Sequence, residues 1–239
     1  MMPDSHNIID TSLEVLYEDN HLIIVNKGTS DLVQGDRTGD VTLPDRVKQY
    51  LKDAYAKAGN VFLGVTHRLD RPVSGAVAFA KTSKALARMN TMFAEHQVEK
   101  IYWAIVCGCP KEEEGTLEHY LVRDGQKNKS FAHDKMVKDA KRAVLHYRTL
   151  AKGDRYTLLE VRLETGRHHQ IRCQLATIGC PIKGDLKYGS PRSNPDGGID
   201  LHARSLRFIH PVSKKEIYIT APVPNSNLWQ VLTKDIVGN

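Results

Sequence analysis

The chain has 239 residues, of which 41% are hydrophobic and 26% are charged, so it can bury a substantial core and is not expected to be disordered. No run of about 18 apolar residues occurs, which excludes a membrane-spanning helix, and the polar start, Met1–Asp10, lacks the apolar core of a secretory signal. Four cysteines are too few to staple a chain of this length, so we expect reduced thiols in a cytoplasmic protein.

The charge is unevenly distributed along the chain. Lys and Arg number 34 and Asp and Glu 28, which gives a formal net charge of +6. Residues 1–60 hold six basic and ten acidic side chains, a balance of −4, whereas residues 61–239 hold 28 basic and 18 acidic ones, a balance of +10. A basic body favours a polyanionic partner, because phosphate contacts gain affinity by releasing counterions.

The first part of the chain predicts a hairpin, two helices and two buried strands. The apolar runs Leu13–Tyr17 and Leu22–Val25 flank a polar, turn-like tetrapeptide and predict the hairpin. Thr42 is expected to cap a helix over Thr42–Ala58, and Ser83 a second one with an apolar face. The two buried strands are expected at Val61–Thr66 and Ala76–Ala80.

The rest of the chain predicts mainly strands. A helix is expected over His168–Ile178, ended by Gly179, and a short one around Leu228–Ile236, capped by Ser226. Because strands outnumber helices and often follow one another directly, we expect an α+β fold with a mostly antiparallel mixed sheet flanked by helices and loops. The strands are expected at Ile101–Val106, Leu117–Val122, Val144–Leu150, Tyr156–Leu163, Leu201–Phe208 and Glu216–Thr220.

Two segments are expected to be long surface loops. Arg123–Arg142 holds seven basic and three acidic residues, and Lys183–Asp200 is rich in Gly, Pro, Ser and Asn. Each is compatible with a solvated connection or with a clamp on nucleic acid, since loops on a rigid scaffold often carry binding residues.

A polar segment lies between the two buried strands of the first part, His67-Arg68-Leu69-Asp70-Arg71-Pro72-Val73-Ser74-Gly75. It places one carboxylate beside a histidine and two arginines, and its proline and glycine indicate a tight, irregular backbone. A buried or half-buried carboxylate needs a cation or several donors. On its own the segment is compatible with a structural ion pair or with a reactive Asp70.

A second polar segment, Gly166-Arg167-His168-His169-Gln170-Ile171-Arg172, opens the predicted helix. Free N–H groups in a first helical turn, together with basic side chains, favour an anion. His168 and Arg172 are expected to share one face of the helix and Ile171 and Leu175 the core side, so that the arginine is held rigidly in a cleft. Adjacent histidines diverge on a helix and cannot easily chelate one ion, so no metal site is predicted.

Both polar segments match signatures of one known family. The first resembles the catalytic signature of the RluA-type pseudouridine synthases, and the second, with Gly179-Cys180-Pro181-Ile182 and Gly184-Asp185, resembles that family's second signature. The two occur in the family's order, about 100 residues apart, and the resemblance spans about residues 13–224. Further similar segments are Leu16-Tyr17-Glu18-Asp19, Val25-Asn26-Lys27, Glu99-Lys100-Ile101-Tyr102-Trp103-Ala104 and Leu201-His202-Ala203 through His210-Pro211.

The resemblance implies an enzyme that isomerises uridine in rRNA or tRNA to pseudouridine. Because substrate and product are isomers, it implies no cofactor and no metal. It implies that Asp70 acts as nucleophile or base, that Arg172 pairs with it, and that Tyr102 lies against the uracil. Arg68 would fill the space of the flipped-out nucleotide. The residues expected to bind substrate are His67, Arg68, Arg167, His168 and Gln170.

The hairpin near residue 13 leaves no room for the N-terminal S4 RNA-binding domain of many relatives. We therefore expect one catalytic domain over residues 1–239, and nothing in the sequence requires more than a monomer. Two alternatives remain open. One is a non-catalytic RNA-binding protein on the same fold, against which the Asp70, Tyr102 and Arg172 set argues. The other is a hydrolase with Cys173 or Ser74 as nucleophile.

Overall fold

Eleven strands form one mixed sheet in the computed structural model, which describes residues 13–35 and 39–237. The strands are β1 Val15–Glu18, β2 Leu22–Lys27, β3 Gly64–Val65, β4 Ser74–Ala80, β5 Glu99–Cys107, β6 Glu114–Asp124, β7 Lys129–His133, β8 Lys141–Lys152, β9 Tyr156–Leu163, β10 Leu201–Ile209 and β11 Glu216–Thr220. Their order in the sheet is β1-β2-β4-β10-β5-β9-β8-β6-β7, with β3 paired to β4 and β11 to β10. Neighbouring strands are antiparallel except β4 and β10, which are parallel.

Helices cover both faces of the sheet. They are α1 Leu43–Ala54, α2 Ser83–Ala94, α3 Gln170–Thr177 and α4 Asn227–Val237. Since alternate residues of a strand face opposite sides, Ile23 and Val25 pack with α1 and α3, whereas Leu22 and Ile24 pack with α2. On the latter face α4 packs Trp229 against β5. No helix in the described part of the chain is long and apolar enough to cross a membrane.

This architecture confirms the α+β fold with a mostly antiparallel mixed sheet. The cap of α1 is also as expected, because Thr42 accepts a hydrogen bond from the Asp45 N–H while the Asp45 carboxylate accepts one from the Thr42 N–H. The cap of α2 is Thr82 rather than Ser83, because the Thr82 hydroxyl accepts the Ala85 N–H.

The prediction of a strand over Val61–Thr66 is wrong in its extent. Only Gly64–Val65 pairs, with Ala80 and Phe79 at the end of β4, and the residues before Gly64 run past that end. The other edge of β4 is taken by β2, so no further partner is available there. An apolar run indicates burial. It forms a strand only where a neighbouring strand has unpaired backbone N–H and C=O groups.

The long loop expected over Arg123–Arg142 is also wrong. The segment completes β6, forms the additional strand β7 and enters β8, and β7 lies at one edge of the sheet. An edge strand needs no continuous apolar pattern and commonly carries lysines, which obscures its period.

The segment Lys183–Asp200 contains no strand, as expected, but it is not a solvated connection. It holds a short 3-10 turn over Leu186–Tyr188, and its Asp185, Tyr188 and Asp200 are buried. Asp185 and Tyr188 hold this connection against the N-terminal part of α3.

Candidate active site

Asp70 lies in a tight turn that leads into β4. Its carbonyl oxygen accepts the Val73 N–H at 3.0 Å. The ammonium group of Lys27, which is 1% exposed, fastens the turn by donating to the carbonyl oxygens of Gly28, Arg71 and Val73 at 2.7, 2.9 and 2.6 Å. Burial lowers the pKa of Lys27 to about 8. The turn that presents Asp70 is therefore held from β2.

Three central strands bring Tyr102 to the same place. Ala203 of β10 pairs with Gly75 of β4 on one side and with Tyr102 of β5 on the other. Gly75 has φ +114°, and a Cβ there would lie 2.4 Å from the Ala203 carbonyl oxygen, so only glycine allows this approach. Burial, and the nearby negative charge of Asp70, raise the pKa of the Tyr102 phenol. Its hydroxyl therefore keeps its proton.

Arg172 of α3 links two carboxylates. Its Nη1 lies 3.1 Å from Asp70 Oδ2, while Nε and Nη2 donate to Asp185 Oδ2 and Oδ1 at 2.6 and 2.8 Å. Burial by itself lowers the pKa of Arg172, but the hydrogen bonds and charge of Asp185, and then Asp70, raise it above its usual value. The predicted rigid arginine beside Asp70 is observed, and Asp185 is what fixes it.

The predicted helix start at His168 is wrong by two residues. His169 adopts the left-handed conformation, with φ +52°, so α3 begins at Gln170 and His168 shares no helical face with Arg172. The His169 ring instead lies against Asp70, with Nε2 3.3 Å from Oδ2. His169 is not among the residues expected to react or to bind substrate, and its only sequence signal is its place in the second signature.

His168 stacks on His169, with ring centroids 3.8 Å apart. Its two ring nitrogens contact the side chains of Ser130 and Asn128 at 3.0 and 3.1 Å. His168 therefore ties the turn before α3 to the hairpin formed by β6 and β7.

Gln170 is buried, and its side-chain amide is hydrogen-bonded to other residues of the protein. Its Oε1 accepts from the Thr165 hydroxyl and the Arg167 N–H, and its Nε2 donates to the Val144 carbonyl oxygen. Gln170 thus braces the turn that carries Arg167, whose exposed guanidinium donates to the Arg142 carbonyl oxygen.

His67 and Arg68 lie beside Asp70 with different exposure. The Nε2 atom of His67 accepts the Ala78 N–H at 3.0 Å, and burial, assisted by the charge of Lys100, lowers the pKa of His67 to about 3. His67 is therefore neutral and fastened to β4. The exposed Arg68 guanidinium contacts the Gln34 side chain.

These residues surround one cleft of about 1240 Å³. Asp70 and Tyr102 lie in its wall together with all five residues expected to bind substrate. Among the described residues that line it, Asp70 is the one acid beside seven cations, so the cleft attracts a polyanion. The cations are Arg68, Arg71, Lys100, Arg123, Arg167, Arg172 and Lys187.

Residues 21–177 match the RNA pseudouridylate synthase family. An uncharacterized RNA pseudouridine synthase of Synechocystis is 37% identical over 89% of this chain, which spans 66% of that protein. The tRNA pseudouridine synthase C of Vibrio parahaemolyticus is 36% identical over 92% of this chain and 93% of that protein. The ribosomal large subunit pseudouridine synthase D of Zymomonas mobilis is 34% identical over 90% of this chain and 70% of that protein.

The fold also has a solved counterpart. The structure of human RNA pseudouridylate synthase domain containing 4 superimposes with a TM-score of 0.74 over 89% of each chain, at 24% sequence identity. At that identity the likeness concerns the fold. It agrees with the resemblance carried by the two sequence signatures, which the relatives confirm.

Proposed function

The chain belongs to the RNA pseudouridylate synthases, a family of isomerases, and we propose that it converts particular uridines of rRNA or tRNA to pseudouridine with Asp70 as its reactive group. The RNA would be met in the cytoplasm by a monomer. Two of the relatives are named as synthases of tRNA and of the ribosomal large subunit, and both classes of RNA are polyanions that suit the basic cleft.

The observation that carries this proposal is the Asp70–Arg172 ion pair in the wall of the cation-lined cleft. The Asp70 side chain is 33% exposed and accessible from the cleft, and the Arg172 guanidinium places an opposite charge 3.1 Å from its Oδ2. A charged carboxylate that substrate can reach is what a nucleophile or base requires.

The isomerisation balances with residues already present. The bond between uracil N1 and ribose C1′ breaks, the uracil turns, a bond forms from C5 to C1′, and the C5 proton is transferred so that N1 ends protonated. Asp70 would either attack C1′ and be displaced when C5 bonds, or remove a sugar proton and return it. Both routes need a charged Asp70, and neither consumes a second substrate.

Tyr102 and Arg68 would complete the site. Tyr102 lies in the wall of the cleft with its proton retained, which suits contact with the uracil face and transfer of the C5 proton through the hydroxyl. Arg68 is exposed two residues before Asp70, so its long side chain can occupy the space of the extruded nucleotide. His67, Arg167, His168 and Gln170 would hold the substrate from the cleft wall or brace that wall.

The competing functions have weaker support. A thiol nucleophile is disfavoured because Cys173 is buried, its Sγ donates to the Ser130 carbonyl oxygen, and burial raises its pKa to about 11. Ser74 contacts His202 Nδ1 at 2.9 Å, but both side chains are buried and neither lines the cleft. A purely RNA-binding role would leave the Asp70–Arg172 pair without a use.

The test is a map of pseudouridine in cellular RNA, read by pseudouridine-specific chemical probing with and without the gene. The site that disappears identifies the substrate, and purified protein should restore it in a transcript of that RNA. The variant Asp70→Asn should bind the transcript as wild type does and give no product.

Substantial turnover by Asp70→Asn would eliminate Asp70 as the reactive group. A map that is unchanged by loss of the gene, with no product from the purified protein on rRNA or tRNA, would contradict the isomerase function itself. Glu99→Gln, an exposed carboxylate on β5, serves as the control for loss of one negative charge.

A further inference from the structure

Two hydrogen bonds and one close contact connect the edge of the sheet with Asp70. The Ser130 N–H on β7 donates to the Tyr188 hydroxyl oxygen at 2.7 Å. That oxygen lies 3.0 Å from His169 Nδ1, and His169 Nε2 lies 3.3 Å from Asp70 Oδ2. Ser130, Tyr188 and His169 are all buried. The three partners come from β7, from the turn after α3 and from the turn before it.

The direction of these bonds follows from which groups hold protons. Ser130 N–H can only donate, so the Tyr188 oxygen accepts, and its own proton points toward His169 Nδ1. Burial raises the pKa of Tyr188 to about 12, so the hydroxyl stays protonated. Burial, and then the cation of Arg172, lower the pKa of His169 far below 6.5, so the ring is neutral.

A neutral imidazole that accepts at Nδ1 carries its proton on Nε2, the nitrogen that faces Asp70. The opposite tautomer would direct a lone pair at the carboxylate, and it would deprive the Tyr188 proton of its acceptor at Nδ1. Only the first tautomer suits both neighbours.

From this geometry we propose that Tyr188 and His169 are positioning residues, which hold His169 as an Nε2–H donor and thereby orient the Asp70 carboxylate. Arg172 donates to Oδ2, His169 Nε2 lies 3.3 Å from the same oxygen, and the hydrogen bonds of the described residues leave Oδ1 without a donor. The chain therefore presents Oδ1 to substrate. Because the donor is neutral, it orients the carboxylate without cancelling its charge.

This inference rests on the proposed function for its kinetic consequence, but the proton position on His169 can be measured without substrate. The whole chain, labelled with ¹⁵N in its histidines, should show His169 protonated at Nε2 and bare at Nδ1 at neutral pH. The resonance is assigned by its loss in His169→Gln. In Tyr188→Phe, which removes only the hydroxyl, part of the proton population should move to Nδ1.

Tyr147→Phe is the matched control. Tyr147 is equally buried in the core, but its hydroxyl donates to the carbonyl oxygen of Glu112 at 3.4 Å. Its removal should leave the His169 spectrum and the reaction rate unchanged.

The kinetic arm uses single-turnover rates on the RNA identified above. Tyr188→Phe should slow product formation about tenfold, the size expected for one orienting hydrogen bond, with the RNA dissociation constant unchanged within about twofold. His169→Gln keeps a neutral N–H donor and should be about tenfold faster than His169→Leu, which keeps none.

A His169 that is protonated at Nδ1 or doubly protonated in the wild-type protein at neutral pH would overturn the positioning chain, whatever the activity. So would a Tyr188→Phe rate equal to that of Tyr147→Phe. If the wild-type protein forms no pseudouridine, the proposed function fails, while the spectra still decide whether the chain exists.

Discussion

Arg172 separates two carboxylates whose surroundings differ sharply. On one side, Asp185 is 1% exposed, and both of its carboxylate oxygens accept hydrogen bonds from the guanidinium. On the other side, the Asp70 side chain is 33% exposed and gives one oxygen to Nη1. The charge of the closed site is fully paired within the protein, whereas the open site leaves Oδ1 without a donor among the described residues.

The difference originates in the chain segments that carry the two residues. Asp185 lies in a connection packed against α3, whereas Asp70 lies in a turn whose backbone is satisfied by Lys27 and by its own hydrogen bond. Desolvating a carboxylate is costly unless every partner is in place, so the closed pair must be complete. The open carboxylate can be completed by substrate instead.

The largest expected effect is on stability at the closed site. Asp185→Asn leaves the buried Arg172 guanidinium without its main counter-charge, so the free energy of unfolding should fall by about 3–5 kcal/mol. Asp70→Asn, at the open site, should cost about 1 kcal/mol or less. Urea unfolding curves measure both. If Asp70→Asn destabilises the protein more than Asp185→Asn does, the distinction between a closed, stabilising carboxylate and an open one is wrong.

Next in size is the effect of removing the shared guanidinium on the reaction. Arg172→Met should slow single-turnover product formation about 1,000-fold, because Asp70 loses its counter-charge and Asp185 is left buried without a partner. Arg172→Lys keeps the charge but not the planar fork, so it should recover part of the rate. A lysine variant as slow as the methionine variant would mean that fork geometry, rather than charge, is what Asp70 requires.

A smaller kinetic effect is expected at Tyr102, on the open side. Tyr102→Phe keeps the ring and removes the hydroxyl, so the rate should fall about 100-fold, as for loss of a general acid–base group. RNA affinity in a filter-binding or fluorescence titration should stay within about twofold of wild type, because the ring still lines the cleft. An undiminished rate would remove the hydroxyl from the mechanism and leave only stacking.

The smallest expected effect at neutral pH concerns His202, a buried side chain that does not line the cleft. Burial, assisted by Arg204, lowers the pKa of His202 to about 4 in the folded protein. Below pH 6.5, His202 therefore binds a proton in the unfolded chain but not in the folded protein. His202 accordingly makes stability fall by about 1.4 kcal/mol per pH unit as the pH drops from 6.5 toward 4.

His202→Asn can keep a hydrogen bond to Ser74 and should flatten the dependence of unfolding free energy on pH by that amount, with product formation unchanged at neutral pH. His96→Asn, on an exposed histidine, is the control for the substitution itself. An identical slope in wild type and His202→Asn would show that His202 is charged inside the fold, contrary to its closed surroundings.

Local sequence patterns determined much of this protein. The entry hairpin, α1 with its Thr42 cap, the apolar strands β9 and β11 and the two polar segments are visible in the sequence because each depends on neighbours a few residues away. The pairing of Asp70 with Arg172, 102 residues apart, was predicted only through the family resemblance. No local periodicity encodes a contact over that distance.

The tertiary structure decided the rest. Strand β7 exists because β6 offers it backbone groups, and α3 begins at Gln170 because His169 takes a left-handed conformation. Asp185 and Tyr188 lie in a connection whose sequence predicts a solvated loop, yet their side chains hold Arg172 and His169 in place. The sequence by itself determined which residues could react. Packing decided which of two carboxylates stays open, because exposure and hydrogen-bond completion are properties of the whole fold.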